Sequence, residues 1–192
     1  KGNEGFYYSS YDKPVGSELS QKTDQHKVYF HQLGTAQKKD KLIFGGDLTR
    51  RYVGAYLTDD ENFLILSAAN TTTGNELYYQ DLTDLNSTIQ PILKDFDSST
   101  NIIDNDGTTF YLLTNRNAPN NKLVKADIQD ITDESKWETV IPETKDVLSV
   151  STAGGYIFAK YIKDAISVVE QYKYDGTKVR RIELPGVGTA SG

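Results

Sequence analysis

The chain of 192 residues has a formal net charge of -6 at pH 7 and an isoelectric point near 5.0. This acidic balance, without any Lys/Arg cluster, argues against a nucleic-acid partner, because neutralising phosphates requires grouped cations. The chain has no cysteine, which excludes disulfides and thiolate chemistry, and no apolar run approaches the roughly 18 residues of a membrane-spanning helix, so we expect no membrane partner.

The first two predicted strands, at residues 5–12 and 26–34, are short runs rich in Tyr, Phe and Val. The two histidines of the chain, His26 and His31, flank KVYF in the second run. Side chains alternate along a strand with a period of two, so an odd separation places these histidines on opposite faces. We therefore expect two ordinary cross-strand polar residues and no shared metal or catalytic site.

A unit made of an apolar run, a polar loop, a second alternating run and an Asp recurs along the chain. Phe63, Phe110 and Tyr156 begin three copies that stand 47 and 46 residues apart, which is the period of four-stranded propeller blades. The runs at 5–12 and 26–34 form an earlier, looser copy. The sequence therefore predicts an all-β fold, a β-propeller of about four four-stranded blades. The units lie near residues 1–47, 48–96, 97–144 and 145–186, and residues 187–192 begin the next blade.

Each of the last three units supplies four predicted strands, whereas the first lacks its innermost strand. The predicted strands are residues 52–58, 63–70, 76–82 and 90–94; 101–104, 109–115, 122–128 and 137–141; and 147–152, 156–161, 168–174 and 178–184. TDDEN, DNDGT and AGG separate the first and second strands of these units and are typical of tight hairpins.

Longer polar loops separate the second and third strands of each unit. Because propeller strands run up and down, these loops and the connectors between units must emerge at the same end, here called the loop end. It carries residues 70–75, 116–121 and 163–165, with connectors that contain Arg50, Arg51, Lys145 and Asp146. Any partner of the propeller is expected there.

Motifs that would carry chemistry are missing from the sequence. The G-x-S-x-G turn of a Ser/His/Asp hydrolase is absent, and GTASG at 188–192 has its serine one place too late. DNDG at 104–107 lacks the Glu that a calcium loop needs at its twelfth position. No glycine pattern for phosphate binding occurs either. The sequence therefore predicts no catalytic residue, no cofactor and no metal site within the chain.

Five stretches of the chain together resemble the propeller domain of the prolyl oligopeptidase family, whose members are also called prolyl endopeptidases. The resemblance runs in order over essentially the whole chain and is closest to secreted or periplasmic enzymes of Bacteroidetes-type bacteria. The stretches are GFYYSSYDKPVGSEL, HKVYFHQLGT, GAYLTDDENFLILSAAN, TNRNAPNNKLVKADI and SKWETVIPETKDVL.

The resemblance implies a seven-bladed propeller that caps an α/β-hydrolase domain with a Ser/Asp/His triad. That domain cleaves short peptides after proline, and the propeller restricts substrate size. This chain would form a partial arc of about four blades and hold none of the triad, so we expect it to be non-catalytic. The implied partners are the hydrolase domain of the same parent chain and short proline-containing peptides. The implied location is the periplasm or the cell exterior, and a cytoplasmic location stays open.

In that family, the loop between the second and third strands of one blade faces the active-site cavity and contributes an Arg and, in mammalian members, a Cys. The matching stretch here, SAANTTTGNE at 67–76, has neither residue. Asn70 and Thr71 are therefore our candidates for a replacement polar contact. Arg116 and Asn117, in the equivalent loop of the next unit, are further candidate cavity-facing residues.

The sequence leaves two other functions open. One is a stand-alone four-bladed module that binds a peptide or protein through the loop end. The other is a small hydrolase that uses His26 or His31, although no nucleophile motif accompanies them. An open arc of blades would expose two blade faces, so we expect self-association unless the residues near Val187 join the first unit and close a ring.

Overall fold

The computed structural model of the chain describes residues 2, 4–12, 16, 20 and 23–190. Within these ranges lie fifteen β-strands and two short 3-10 helices, at Gln37–Lys39 and Glu134–Lys136, which confirms the all-β prediction. Neither helix is long or apolar enough to cross a membrane. The chain divides into two compact units, Lys1–Asp97 and Ser98–Gly192.

The first unit holds one three-stranded and one four-stranded sheet, in which strands pair antiparallel in chain order. The three-stranded sheet is formed by β1 (Gly5–Tyr11), β2 (His26–Gln32) and β3 (Lys41–Phe44). The four-stranded sheet is formed by β4 (Tyr52–Leu57), β5 (Phe63–Ala69), β6 (Glu76–Asp81) and β7 (Gln90–Leu93).

The core of the first unit is a cluster of apolar side chains from both of its sheets. Strand alternation directs these side chains inward from one face of each sheet. The buried members of the cluster are Val28, Val53, Leu64, Leu66 and Ala68. Strand β5 is buried on both faces, because Phe63 and Ile65 are only 4% and 0% exposed. The continuous apolar run FLIL therefore matches its surroundings.

The second unit holds two four-stranded antiparallel sheets, again paired in chain order. The first consists of β8 (Thr100–Asp106), β9 (Thr109–Thr114), β10 (Lys122–Asp127) and β11 (Glu138–Ile141). The second consists of β12 (Leu148–Ala153), β13 (Tyr156–Lys163), β14 (Ile166–Tyr172) and β15 (Lys178–Ile182).

The core of the second unit joins both of its sheets in one buried cluster. Leu123 and Ile141 from the first sheet meet Leu148 and Ile157 from the second. A polar link supplements this packing, since the Tyr174 hydroxyl donates a hydrogen bond to the Asp104 carboxylate. Burial and this hydrogen bond raise the pKa of Tyr174 far above its ordinary value, so the phenol stays a donor at neutral pH.

The hairpin between β12 and β13 shows how the turn sequence determines local structure. Its two-residue loop is Gly154–Gly155, with φ of 57° and 77°. Positive φ at both positions is the type I′ geometry whose twist matches that of the flanking strands. The AGG turn predicted from the sequence is therefore confirmed.

A β-bulge recurs in every sheet, in the pairing between its last two strands. In each case one residue of the last strand is extra, so the register shifts by one there. The extra residue is always β-branched: Ile43 in β3, Ile92 in β7, Val140 in β11 and Val179 in β15. Such a bulge bends the strand and increases its local twist.

The predicted strands agree with the observed ones to within two residues at either end. Among the residues described, the first sheet has three strands, as expected for a first repeat that lacks its innermost strand. Strand β3 (Lys41–Phe44) was not among the predicted strands. The boundaries of the four predicted sequence repeats, near residues 47, 96, 144 and 186, stay predictions.

Candidate functional site

The loop end of each unit is the candidate site, and contacts within each unit show that its loops and connectors lie together. In the first unit the connector before β4 meets the start of β6, which follows the 70–75 loop. In the second unit the 115–121 loop meets the connectors on both sides of its sheet. These contacts confirm that loops and connectors emerge at the same end of the strands.

Arg50, Glu76 and Phe96 form a charged cluster at the loop end of the first unit, here called the Arg50 clamp. Arg50 donates from Nε to Glu76 Oε2 at 2.6 Å and from Nη2 to Oε1 at 2.9 Å. The guanidinium also lies 5.4 Å from the centre of the Phe96 ring. The Glu76 side chain is only 6% exposed. The hydrogen bonds to Glu76 raise the pKa of Arg50 further above its ordinary value, so the guanidinium stays charged.

Gly74 fixes the 70–75 loop against the same region. Its φ is +74°, and a Cβ added there would lie 1.8 Å from the backbone oxygen of Phe96. Only glycine fits both the left-handed backbone and this close approach. The loop is therefore fixed by its buried end at Gly74, Asn75 and Glu76.

The predicted residues Asn70 and Thr71 lie in the outer part of this loop, and both are exposed. The Thr71 hydroxyl donates to the backbone oxygen of Thr73 at 2.7 Å, a local bond that makes the tip compact. The exposed tip, residues 70–73, carries only amide and hydroxyl groups. It offers neutral hydrogen-bonding groups to a partner.

The equivalent loop of the second unit, residues 115–121, is fixed at both ends. Asn115 exchanges hydrogen bonds with Ser99, from Asn115 N to Ser99 O and from Ser99 N to Asn115 Oδ1. At the other end, Asn120 N donates to Glu143 Oε1 at 2.6 Å, and Asn120 O accepts from Leu148 N. The asparagines of this loop thus form hydrogen bonds with backbone groups of both connectors.

Arg116 and Asn117 occupy different positions in that loop. Arg116 Nε donates to Glu134 Oε2 at 2.5 Å, so the guanidinium is held by a carboxylate of its own unit. Asn117 is exposed and has a φ of 51°. Both residues line a cavity of about 190 Å³, which is smaller than ordinary ligand pockets. Asn117 is therefore the more accessible of the two for a partner.

A larger cavity of about 330 Å³ lies at the loop end of the second unit. Its lining mixes cations and carboxylates, among them Lys145, Asp146, Lys163 and Arg181. It is also lined by Glu170, whose carboxylate accepts from the Tyr172 hydroxyl at 2.8 Å and from Lys178 Nζ at 2.5 Å. Burial opposes ionisation of Glu170, but these bonds lower its pKa overall.

The two histidines lie on opposite faces of β2, as the sequence predicts. His31 Nδ1 is 2.8 Å from Asp40 Oδ1, and the Tyr8 hydroxyl donates to Asp40 Oδ2 at 2.7 Å. The His26 ring stacks on Tyr11 at 5.0 Å, and burial lowers its pKa, which keeps it neutral at pH 7. In the described part of the chain, neither imidazole bonds to a hydroxyl that could act as a nucleophile.

No metal-binding site is evident among the residues that the structure describes. Nowhere in them do three His, Asp or Glu side chains come together in a group that could hold a metal ion. The loop ends offer amides, hydroxyls and paired charges, which can bind and orient a partner. The arrangement fits recognition of a polar partner.

Sequence reasoning missed the Arg50 clamp. Arg50 and Glu76 are 26 residues apart, and no local sequence pattern pairs them. One local signal was present, since Gly74 next to Asn75 and before a strand indicates a close backbone contact. The Asp40–His31 pair was missed as well, because Asp40 lies outside the predicted strands.

Comparison with known families gives a match over the whole chain. Residues 1–192 match the family described as prolyl oligopeptidase, N-terminal beta-propeller domain. The chain is similar to the prolyl endopeptidase of Elizabethkingia meningoseptica, with 56% identity over 193 residues, covering 100% of this chain and 27% of that protein. It is also similar to prolyl oligopeptidase A of Galerina marginata, with 29% identity over 98% of this chain and 27% of that protein.

Solved structures give the same picture of the fold. One comes from a study of two prolyl endopeptidases and of inter-domain dynamics in catalysis and specificity. The chain matches that structure with a TM-score of 0.84 and 29% identity, over 99% of this chain and 27% of that one. Another is prolyl oligopeptidase B from Galerina marginata bound to a 35mer hydrolysis and macrocyclization substrate, with a TM-score of 0.83 and 25% identity over 99% of this chain and 27% of that one. The predicted β-propeller fold is confirmed, and the chain spans about a quarter of the length of these relatives.

Proposed function

Since the chain belongs to the prolyl oligopeptidase family, as part of its N-terminal β-propeller domain, we propose that it is the non-catalytic propeller segment of a prolyl endopeptidase. The parent enzyme would cleave short peptides after proline. This segment would cap the active site and restrict substrate size. Its partners would be the α/β-hydrolase domain of the same parent chain and the peptide.

The observation that carries this proposal is the construction of the loop ends. The 70–75 and 115–121 loops are each fixed to a neighbouring connector, by an ion pair in one case and by amide hydrogen bonds in the other. Loops held in this way form a rigid rim, and a rigid rim excludes a bulky substrate without closing around it. Catalytic groups are not needed for this role.

The capping role is tested with a blocked Gly-Pro reporter peptide. We expect no release of chromophore by the pure 192-residue chain and turnover by a longer protein that carries this chain together with a hydrolase domain. Removing the propeller segment from that longer protein should increase its attack on folded proteins relative to short peptides. Turnover by the pure chain that disappears on replacing His26 or His31 would contradict the proposal and favour a small hydrolase.

Asn70, Thr71 and Asn117 are the residues that we propose contact the peptide. All three are exposed at the loop end of their unit, whereas Arg116 is held by Glu134. Asn70→Ala and Thr71→Ala should raise KM for short peptides about two- to fivefold with little change in kcat, because each removes one hydrogen bond of binding. A change in kcat alone would contradict this assignment.

We also propose a periplasmic or secreted location for the parent protein. The support is the sequence resemblance to secreted or periplasmic enzymes of Bacteroidetes-type bacteria. Fractionation of the source cells, with an antibody raised against this chain, tests it. Recovery with the cytoplasmic fraction would contradict the proposal.

A further inference from the structure

The Arg50 clamp has an effect on charge at the loop end as well as on stability. Arg50 uses Nε and Nη2 on the two Glu76 oxygens, and Nη1 donates to Thr49 O at 2.9 Å. All three nitrogens of the guanidinium are therefore engaged within the unit. A bidentate pair of this kind is stronger and more specific than a single contact. The charge of Arg50 is thus neutralised where a peptide would meet the loop.

The tip of the 70–75 loop supplies no charge to replace that of Arg50. Residues 70–73 are Asn and Thr only. The adjacent cation, Arg51, lies 5.4 Å over the Tyr52 ring, and no contact joins it to the loop tip among the residues described. The local surface therefore offers amides and hydroxyls. The nearby Arg50 contributes little charge, because Glu76 already pairs with it.

From this geometry we propose that Glu76 is a specificity-determining residue. It holds Arg50 in the clamp and so keeps the peptide-facing loop uncharged, and the enzyme accepts peptides with and without acidic side chains alike. This inference rests on the proposed function of the chain. It concerns a second role for Glu76, beyond stabilising the loop, and that role appears only in the charge preference for the substrate.

The key variant is Glu76→Gln, which keeps the shape of the side chain and removes its charge. Arg50 then carries an uncompensated charge beside the loop. The double variant Arg50→Gln/Glu76→Gln loosens the clamp in the same way but also removes the charge of Arg50. Glu138→Gln is the matched control, because Glu138 forms an exposed ion pair with Lys125 at 3.2 Å in the second unit, and its loss changes the net charge equally.

The experiment compares two blocked reporter peptides, Glu-Gly-Pro and Gln-Gly-Pro, as substrates of the longer protein. We expect a ratio of kcat/KM near one for the wild type and for Glu138→Gln. Glu76→Gln should raise the preference for the Glu peptide about fivefold, the effect of one new charge attraction near a surface. The preference should vanish at high salt and in the double variant.

The outcomes separate a specificity role from a purely structural one. A ratio that stays near one in Glu76→Gln, while amide hydrogen exchange of residues 70–75 accelerates, would overturn the proposal and leave Glu76 as an anchor of the loop. If the longer wild-type protein does not turn over either peptide, the proposed function fails instead. The Kd of the two peptides for the 192-residue chain and its Glu76→Gln variant then decides the charge preference.

Discussion

Asp40 shows how one buried carboxylate ties two strands together. Its side chain is only 3% exposed and accepts hydrogen bonds from Tyr8 of β1 and from His31 of β2. Burial alone would raise the pKa of Asp40, but the two hydrogen bonds outweigh burial, and the pKa is lowered. The folded state is therefore the state that favours the ionised carboxylate.

A pH dependence follows for Asp40→Asn. Because the folded pKa lies below the unfolded value, ionised Asp40 stabilises the fold above about pH 4, and this contribution is lost as the pH falls through the folded pKa. We expect the free energy of unfolding to fall less steeply between pH 5 and pH 3 in Asp40→Asn than in the wild type. Urea unfolding across that range measures it. Asp59→Asn, on an exposed turn, is the control, and equal slopes for all three proteins would contradict the expectation.

Two glycines of the first unit should respond in opposite ways to alanine. Gly74 has a φ of +74°, and a Cβ there would meet the Phe96 backbone at 1.8 Å, whereas a Cβ at Gly54 would meet nothing within 4 Å. We expect Gly74→Ala to destabilise the chain by at least about 2 kcal/mol. Gly54→Ala should be neutral or stabilise by about 0.5–1 kcal/mol, since it restricts the unfolded chain. Thermal and urea melts decide, and a neutral Gly74→Ala would show that the loop can relax.

At the scale of the strands, most of the fold could be predicted because its signals are local. Alternating Tyr, Val, Ile and Phe between Gly, Asn and Asp turns defines strands such as β5 and β13 from a few neighbouring residues. Strand β3 (Lys41–Phe44) was missed because its four residues follow lysines, and pairing with β2 decides its conformation. The Arg50 clamp was missed for a similar reason, since its partners meet only after β4 to β6 have formed.

Strand β13 provides a matched test of the core assignment. Ile157 is fully buried in the core of the second unit, whereas Ile162, on the opposite face of the same strand, is 56% exposed. We expect Ile157→Ala to cost about 2–5 kcal/mol through lost burial and a cavity. Ile162→Ala should change stability by less than about 0.5 kcal/mol. Similar losses for both variants, measured by chemical unfolding, would mean that the faces of β13 are wrongly assigned.

At the scale of the whole molecule, apolar side chains lie on sheet faces that do not contribute to either core. Phe6 is 50% exposed and Leu42 is 44% exposed in the first sheet, and Ile162 and Tyr156 are exposed on β13 of the second unit. Phe6 also contacts the His31 ring at 5.1 Å, so part of this face is aromatic. Faces of this kind are normally covered by another sheet.

We therefore expect the isolated 192-residue chain to self-associate through these faces. Sedimentation velocity should show a weight-average mass that rises with protein concentration. Phe6→Glu and Ile162→Glu should each lower the degree of association, while Leu85→Glu, at an exposed site between β6 and β7, serves as the control. A monomer at all concentrations, with a cooperative melt at high temperature, would count against exposed faces and favour ring closure.

The repeated bulge determines what kind of assembly this can be. Because Ile43, Ile92, Val140 and Val179 each break the register of the last strand in their sheet, we expect the outer edges to be bent and to present no regular row of free backbone groups. A second chain cannot extend such an edge into a continuous ladder, which is the step that amyloid growth requires. The four β-bulges should thus protect the chain against fibre formation. Although the chain is rich in Tyr, Val and Ile, we expect it to form small reversible oligomers, and thioflavin fluorescence should not rise.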